Sequence, residues 1–183
     1  MTSDPSICKR CALQGPTCCR LEPGQEEFCF PLSQTEKERI QEFQPDEGGF
    51  ALQENTEGFV HNILRLFPGE KERVLALFPR QKFHFRLAVD ASGACRFLGS
   101  KGCRIPQDLR PYYCRLFPFW VVHNEVSVFD SPSCLARREA VHLLRMFETF
   151  DTNAGTVRDL MGRLRLAWGL PPTAGSKPVK RSF

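Results

Sequence analysis

The chain is poor in the residue patterns by which most enzymes declare themselves. It has four histidines in 183 residues, His61, His84, His123 and His142. None belongs to a His-Glu-x-x-His or comparable ligand motif. His61 and His142 fall in helical segments and read as surface or core-edge residues rather than ligands. No glycine-rich nucleotide loop follows a strand, and there is no radical-type Cys-x3-Cys-x2-Cys. No Ser/His/Asp arrangement can be argued from spacing. A Cys/His hydrolase stays open, because triad members need not be close in sequence. No apolar run approaches the roughly 20 residues of a membrane helix, and no internal repeat is visible. The start, MTSDPSICKRC, lacks the apolar core of a signal peptide. The expectation is a soluble, cytoplasmic protein with no membrane partner, in which thiols stay reduced.

What the chain does have is enough apolar mass for a core. Hydrophobic residues make up 42%, with 16 Phe, so folding does not require disulfide staples. We expect one domain over 1–170 and a disordered tail over 171–183, PPTAGSKPVKRSF. The net charge of +4 is local: residues 133–183 hold nine basic and four acidic residues. A solvated helix face and a polar tail account for this. A nucleic-acid surface would interleave basic and aromatic residues, and that signal is missing, so nucleic acid is not expected as a partner.

The periodicities predict a small, mostly helical α+β domain with one or two short β-hairpins. Its loop-rich N-terminal cysteine arm, residues 1–31, folds onto the Cys95–Cys114 segment. Ser33 with Glu36 is a capping box for a helix to about Phe43. A second helix spans Thr56 to Phe67, and a short one carries Val74, Leu75 and Phe78. Phe83, Phe85, Leu87 and Val89 alternate as a half-buried strand, and Cys95 to Leu98 is a candidate return strand. Phe119 to Phe129 reads as a hairpin turning near Asn124. Ala136, Ala140, Leu143, Leu144, Phe147 and Phe150 predict one helix face. Val157, Leu160, Met161, Leu164 and Trp168 predict another.

Nine cysteines carry the chemistry. Four form Cys8-x2-Cys11-x6-Cys18-Cys19, and three form Cys95-x7-Cys103-x10-Cys114. Cys29 and Cys134 trail the two clusters. Thiolates are soft anionic ligands that select zinc, copper(I) or iron–sulfur centres. A Cys-x2-Cys pair is a common half-site. Adjacent cysteines point opposite ways in a regular strand, so Cys18 and Cys19 either meet one metal in an irregular loop or serve two. Lys9, Arg10, Arg20, Arg96, Arg104 and Arg115 each adjoin a cysteine. Together they suggest compensation of thiolate charge, although any one of them reads as a solvated side chain. An odd count without a secretion signal argues against a disulfide framework. Cys29 is the first candidate for an inert, buried thiol. Phe117, Phe119 and Trp120 would shield a centre, or simply belong to the core.

The segment GACRFLGSKGCRIPQDLRPYYCRLFPF resembles the YkgJ-type cysteine-cluster family, described as a zinc- or iron-chelating domain. Gly93, Cys95, Leu98, Cys103, Ile105, Arg110, Pro111, Cys114, Arg115, Phe117 and Pro118 match its order. Cys8, Cys11, Cys18 and Cys19 match its N-terminal CxxC and CC, and Cys134 stands for a further downstream cysteine. There are two departures. The Cys11–Cys18 spacer is longer than usual, and Pro106 replaces a frequent Tyr. The resemblance implies eight metal ligands: Cys8, Cys11, Cys18, Cys19, Cys95, Cys103, Cys114 and Cys134. They would supply two four-coordinate sites, or one cluster and an open site. We favour an iron–sulfur cluster of the 4Fe-4S kind, with Zn2+ as the alternative, in a redox or metal-handling role. Flagellin lysine-N-methylases carry a similar cysteine domain with an iron–sulfur centre and S-adenosylmethionine. That analogy makes a methyltransferase-like enzyme acting on protein lysine an alternative. A zinc-stabilised interaction or nucleic-acid module is a third. A protein partner is left open.

Overall fold

The computed structural model describes residues 6–15, 17–45 and 48–172. Most of the expected tail, 173–183, lies outside the described residues. Helix α1 is Ser6–Gln14, α2 Gln34–Phe43, α3 Glu57–Leu66, α4 Lys71–Leu77, α5 Tyr112–Leu116, α6 Leu135–Glu139, α7 Leu143–Thr149 and α8 Ala154–Trp168. The strands are β1 Phe50–Glu54, β2 Phe83–Leu87, β3 Leu98–Gly99, β4 Gly102–Cys103, β5 Phe119–Val122 and β6 Glu125–Val128. They pair as three antiparallel two-stranded sheets, β1–β2, β3–β4 and β5–β6. The fold is a small, mostly helical α+β domain, as expected.

Local chemistry sets the boundaries. Ser33 Oγ accepts the Glu36 amide, and Glu36 returns a carboxylate to the Ser33 amide, so the capping box starts α2. Thr56 and Asn153 cap α3 and α8 through their side-chain oxygens. The β5–β6 turn places His123 and Asn124 at φ of 49° and 66°. These left-handed conformations suit a two-residue hairpin.

Four features differ from the sequence reading. The arm is not all loop: it opens with α1. A strand, β1, precedes α3 and pairs with β2 in the register Phe50↔Leu87; the Phe50–Glu54 run is too short and mixed to announce itself. Cys95 makes only an isolated bridge to Val89, and the strand begins at Leu98. The single helix expected from Ala136 to Phe150 is two, α6 and α7, interrupted at 140–142. Val141 and Leu144 are 73% and 74% exposed, so the apolar pattern runs across a break rather than along one face.

Two apolar clusters form the interior. The larger joins α3, α4, α8 and the β5–β6 hairpin around Phe59, Ile63, Val74, Leu116, Met146 and Leu164. The smaller is Ile40, Phe97 and Ile105. A partly buried ion pair closes one flank: Arg165 donates to both oxygens of Glu70, at 2.6 and 2.8 Å. Among the described residues no helix is long and apolar enough to cross a membrane.

The arm is docked by backbone. The Leu21 amide donates to the Gly93 carbonyl and the Cys95 amide to the Cys19 carbonyl, both at 2.8 Å. Gly93 has φ +79°, and a Cβ there would stand 1.9 Å from the Leu21 carbonyl oxygen. Only glycine allows so close an approach. The N-terminal cysteines are thereby brought to the Cys95–Cys114 segment, as the sequence predicted.

Candidate metal centre

Each cysteine is delivered by a different local device. Cys8 and Cys11 lie three apart on α1, so both fall on the face that buries Ile7. The CxxC pair therefore works as part of a helix. Cys18 and Cys19 occupy the turn after α1, where the Cys19 amide donates to the hydroxyl of buried Thr17 at 3.3 Å. Cys95 follows the Gly93 turn. Cys103 sits on β4 opposite Leu98. Cys114 lies on α5, and Cys134 is the residue just before α6.

Three contacts fix these elements around a common space. Buried Glu36 accepts the Tyr112 amide at 2.8 Å, so the capping box of α2 also holds the first residue of the Cys114 helix. Buried Arg110 donates to the Ile105 carbonyl at 2.9 Å and to the Cys103 carbonyl at 3.4 Å. It ties the approach to α5 onto β4. Arg10 on α1 grips both carboxylate oxygens of Glu139 on α6, at 2.9 and 2.7 Å.

The result is one cavity of about 230 Å³, and all nine cysteines line it. Ile7, Leu32, Ile105 and Phe117 supply apolar wall, and no histidine contributes. One water needs only about 10–15 Å³ of such space. Cys18 and Cys114 present accessible surface although burial is among the main influences on both thiols. That surface faces the cavity. All nine cysteines are in the thiol form, so the disulfide framework that the odd count argued against is not formed.

The electrostatics are those of neutral thiols crowded together. Cys18 lies well above the ordinary thiol range, first through its hydrogen bond with Cys19, then through burial and the nearby Cys134 and Cys8. Burial pushes Cys95 up to about 12, reinforced by Cys19, Cys103 and Cys29. Burial also drives Cys114 far up, with Cys19, Cys103 and Cys95 adding to it and Arg110 opposing. Cys134 is raised by burial, then partly relieved by the amides of Arg137 and Ala136. Cys29 is raised by burial and relieved by Arg86. Like charges so close cannot all ionise unaided. A cation among them would reverse that logic, because a coordinating thiol is deprotonated outright.

The expected flanking cations do not face this space. Lys9, Arg10, Arg20, Arg96 and Arg104 are exposed. Half-buried Arg115 donates to the Asp108 carbonyl and lies over the Tyr112 ring. The sequence neighbours of the cysteines thus stand outside the thiol cavity; on α1 and α5 successive residues fall on different parts of the helix surface. None of the six cations that adjoin a cysteine in sequence lines the cavity; Arg110, which adjoins no cysteine, does.

Do the residues fit a metal group? The donor set suits zinc, copper(I) or iron–sulfur chemistry. The spacing is not that of a closed single-ion site: among the described residues, no three His, Cys, Asp or Glu side chains converge as a ready ion site. A lone tetrahedral zinc draws its thiolates to about 2.3 Å. A cluster gives each iron its own thiolate and spreads the ligands farther apart. Open spacing around a cavity fits the second geometry better. Sequence reasoning named eight of the nine lining cysteines as ligands. It placed Cys29 apart, as an inert thiol, yet Cys29 lines the same wall; only the fold could reveal that.

Comparison with family models, with curated proteins and with solved structures gave no match. The resemblance therefore rests on the cysteine motifs themselves.

Proposed function

We propose that this chain is a cysteine-cluster metal-binding protein of a reducing, cytoplasmic compartment, and that its cavity holds an iron–sulfur centre of the 4Fe-4S kind. The observation that carries this reading is the convergence of all nine cysteines, drawn from across the chain, on one cavity. Cys8, Cys11, Cys18, Cys19, Cys95, Cys103, Cys114 and Cys134 would hold the metal. When bound, such a centre supplies one-electron chemistry. The chain's own contribution is to position the thiols and to surround them with apolar wall. Phe30 stacks on Tyr113, which leans on Phe117. This aromatic wall lowers the local polarity that tunes a centre's potential. Arg110 adds a buried positive charge beside Cys114, which offsets thiolate charge.

The test is anaerobic purification of the full chain, with iron, zinc and acid-labile sulfide counted together and the visible spectrum recorded. Iron and sulfide in equal amounts, with a brown colour bleached by air, support the reading. Zinc without sulfide or colour replaces it with a structural module that stabilises an interaction surface. No metal of either kind overturns it.

One observation favours an enzymic variant. A second cavity of about 300 Å³, lined by Gln107, Asp108, Arg115, Asp151 and Thr156, shares Phe150 with the thiol cavity. A methyltransferase-like enzyme acting on protein lysine needs such a substrate space beside its metal. Equilibrium dialysis of the reconstituted chain against S-adenosylmethionine decides this: binding supports it, and none at millimolar ligand removes it.

A further inference from the structure

We propose that residues 22–30 form a strap along the thiol cavity, latched by Glu27 onto the cap of α3, and that metal reaches the thiols when this latch lets go. The inference rests on the metal-binding reading for what enters, and on the packing alone for the strap.

The strap is anchored at its ends and loose between them. At one end the Leu21 amide donates to the Gly93 carbonyl at 2.8 Å; at the other the Leu32 amide donates to the Phe85 carbonyl at 2.7 Å. Between these anchors, the backbone–backbone hydrogen bonds among the described residues are local. The Gln25 amide donates to the Glu22 carbonyl, Phe28 to Gln25 and Cys29 to Glu26. A single 3-10 turn, Glu26–Phe28, interrupts an irregular course, and none of its residues is buried. From Glu22 to Phe30 no residue is buried at all. Yet Leu21, Phe28, Cys29, Phe30, Pro31 and Leu32 line the cavity. Alternate residues of an extended chain point opposite ways. Five consecutive residues therefore border one space only where the backbone itself runs along it. A wall segment with so little buried apolar surface opens locally, without the rest of the domain.

Two contacts hold the strap down. Thr56 Oγ1 donates to the Glu27 carboxylate while accepting the Phe59 amide. The cap of α3 thus doubles as the catch, and a carboxylate is favoured at a helix N-terminus. The fixed side of the catch is rigid: neighbouring Asn55 is buried, and its side chain donates to the Pro79 carbonyl at 2.8 Å. Gly58 leaves the carboxylate room, since a Cβ there would stand 3.1 Å from its Oε2. The second contact is Phe30, which stacks on Tyr113 and tilts against Trp120. Tyr113 lines the cavity and precedes Cys114 in the chain, so lifting Phe30 uncovers the wall beside that thiol. Cys29 rides on the strap between the two contacts.

The experiment follows iodoacetamide alkylation of each cysteine in full-length, metal-free protein by peptide mass spectrometry. In parallel it follows the rate of uptake of ferrous iron and sulfide without oxygen. Glu27→Ala is compared with wild type and with Thr56→Ser, which keeps the hydroxyl. Where a segment opens and closes faster than the reagent attacks, alkylation tracks the open population. For Glu27→Ala the expected alkylation of Cys95, Cys103 and Cys114 is about tenfold faster, the scale of a lost hydrogen bond to a charged group. Metal uptake quickens with it, and the final content stays the same. Thr56→Ser keeps wild-type rates. Unchanged rates in Glu27→Ala overturn the strap as the entry. So does acceleration at Cys29 alone, which means that the strap moves without opening the cavity. If the amide of buried Ile63 exchanges faster in step with the thiols, the whole domain has loosened, and the local latch is overturned as well. Wild type that takes up no metal overturns the proposed function itself, while the alkylation rates still decide the strap.

Discussion

The helical core and the thiol cavity are built by opposite rules. Around Phe59 every direction is filled: its ring stacks on His84 with centroids 3.9 Å apart and meets Phe78 edge-on at 5.5 Å. Around Cys114 one direction is left open, and the other eight thiols are among the side chains that border the opening. Packing alone specifies the first region. In the second, the thiols border space that no side chain fills, and what specifies it is backbone geometry at a few points: Gly93, Arg110 and Glu36. The core should therefore be indifferent to metal, while the arm and the cavity draw part of their stability from it.

The sharpest way to break that contrast is Phe59→Ala. Phe59 is 0% exposed, and removing such a ring typically costs about 3–5 kcal/mol. The expected fall in urea midpoint is the same in metal-free and reconstituted protein. A fall confined to one of the two forms would mean that core and cavity are a single unit.

Glu36→Ala comes next. Its carboxylate serves the Ser33 amide, the Ser33 hydroxyl and the Tyr112 amide. Stranding these part-buried donors costs about 1 kcal/mol, the low end of the penalty for a lost partner. Unlike Phe59→Ala, it should also loosen α5, read as faster hydrogen exchange at Tyr113 and Cys114 in the metal-free protein. Unchanged exchange there would show that Arg110 positions α5 alone.

The third test is acid. Burial and the Arg86 charge hold the buried imidazole of His84 down at about 4. In the unfolded chain an imidazole titrates near 6.5. Between these values the unfolded state binds the proton and the folded state does not, so stability rises with pH across this window. The urea midpoint should therefore fall as pH drops from about 7 toward 4, and His84→Gln should flatten the slope. The shifted cavity thiols, Cys18, Cys29, Cys95, Cys114 and Cys134, are all pushed up, away from this window.

These contrasts explain what could be read in advance. The core was legible because its helices repeat apolar residues at 3.6-residue spacing and begin at Ser33 and Thr56, whose oxygens must cap something. Periodicity misled only where a break fell inside an apolar run, at 140–142. The cavity was legible as a list of residues and not as an arrangement. Spacing showed that Cys8 and Cys114 are cysteines near other cysteines. Which thiols meet depends on Leu21 and Cys95 pairing with residues over seventy positions away, a long-range pairing without local signature. The flanking arginines failed as indicators for the same reason: adjacency in sequence turned them outward.

Smaller effects sharpen the contrast from the other side. Cys114→Ser in the metal-free protein removes a thiol that faces open space, so the midpoint should move by no more than about 0.5 kcal/mol, the scale of a surface change. The same variant should cost clearly more in reconstituted protein. A metal-free loss comparable to that of Phe59→Ala would show that the cavity wall is packed core.

Arg10→Ala should do least of all. The Arg10–Glu139 pair is bidentate and spans α1 and α6, so inspection alone would make it the clasp of the seam between them. Yet the two side chains are 49% and 43% exposed. Holding two long side chains in one geometry costs entropy, and salt screens what attraction remains. The apolar contacts of Ile7, Cys11, Leu135 and Ala136 beneath the pair are buried and do not depend on it. The expected outcome is an unchanged urea midpoint at physiological salt, with and without metal, and an unchanged iron count. A metal-free midpoint that falls while the loaded one holds would mean that the seam between α1 and α6 is kept closed by charge until metal arrives. The cavity would then be an induced site rather than one the fold prepares.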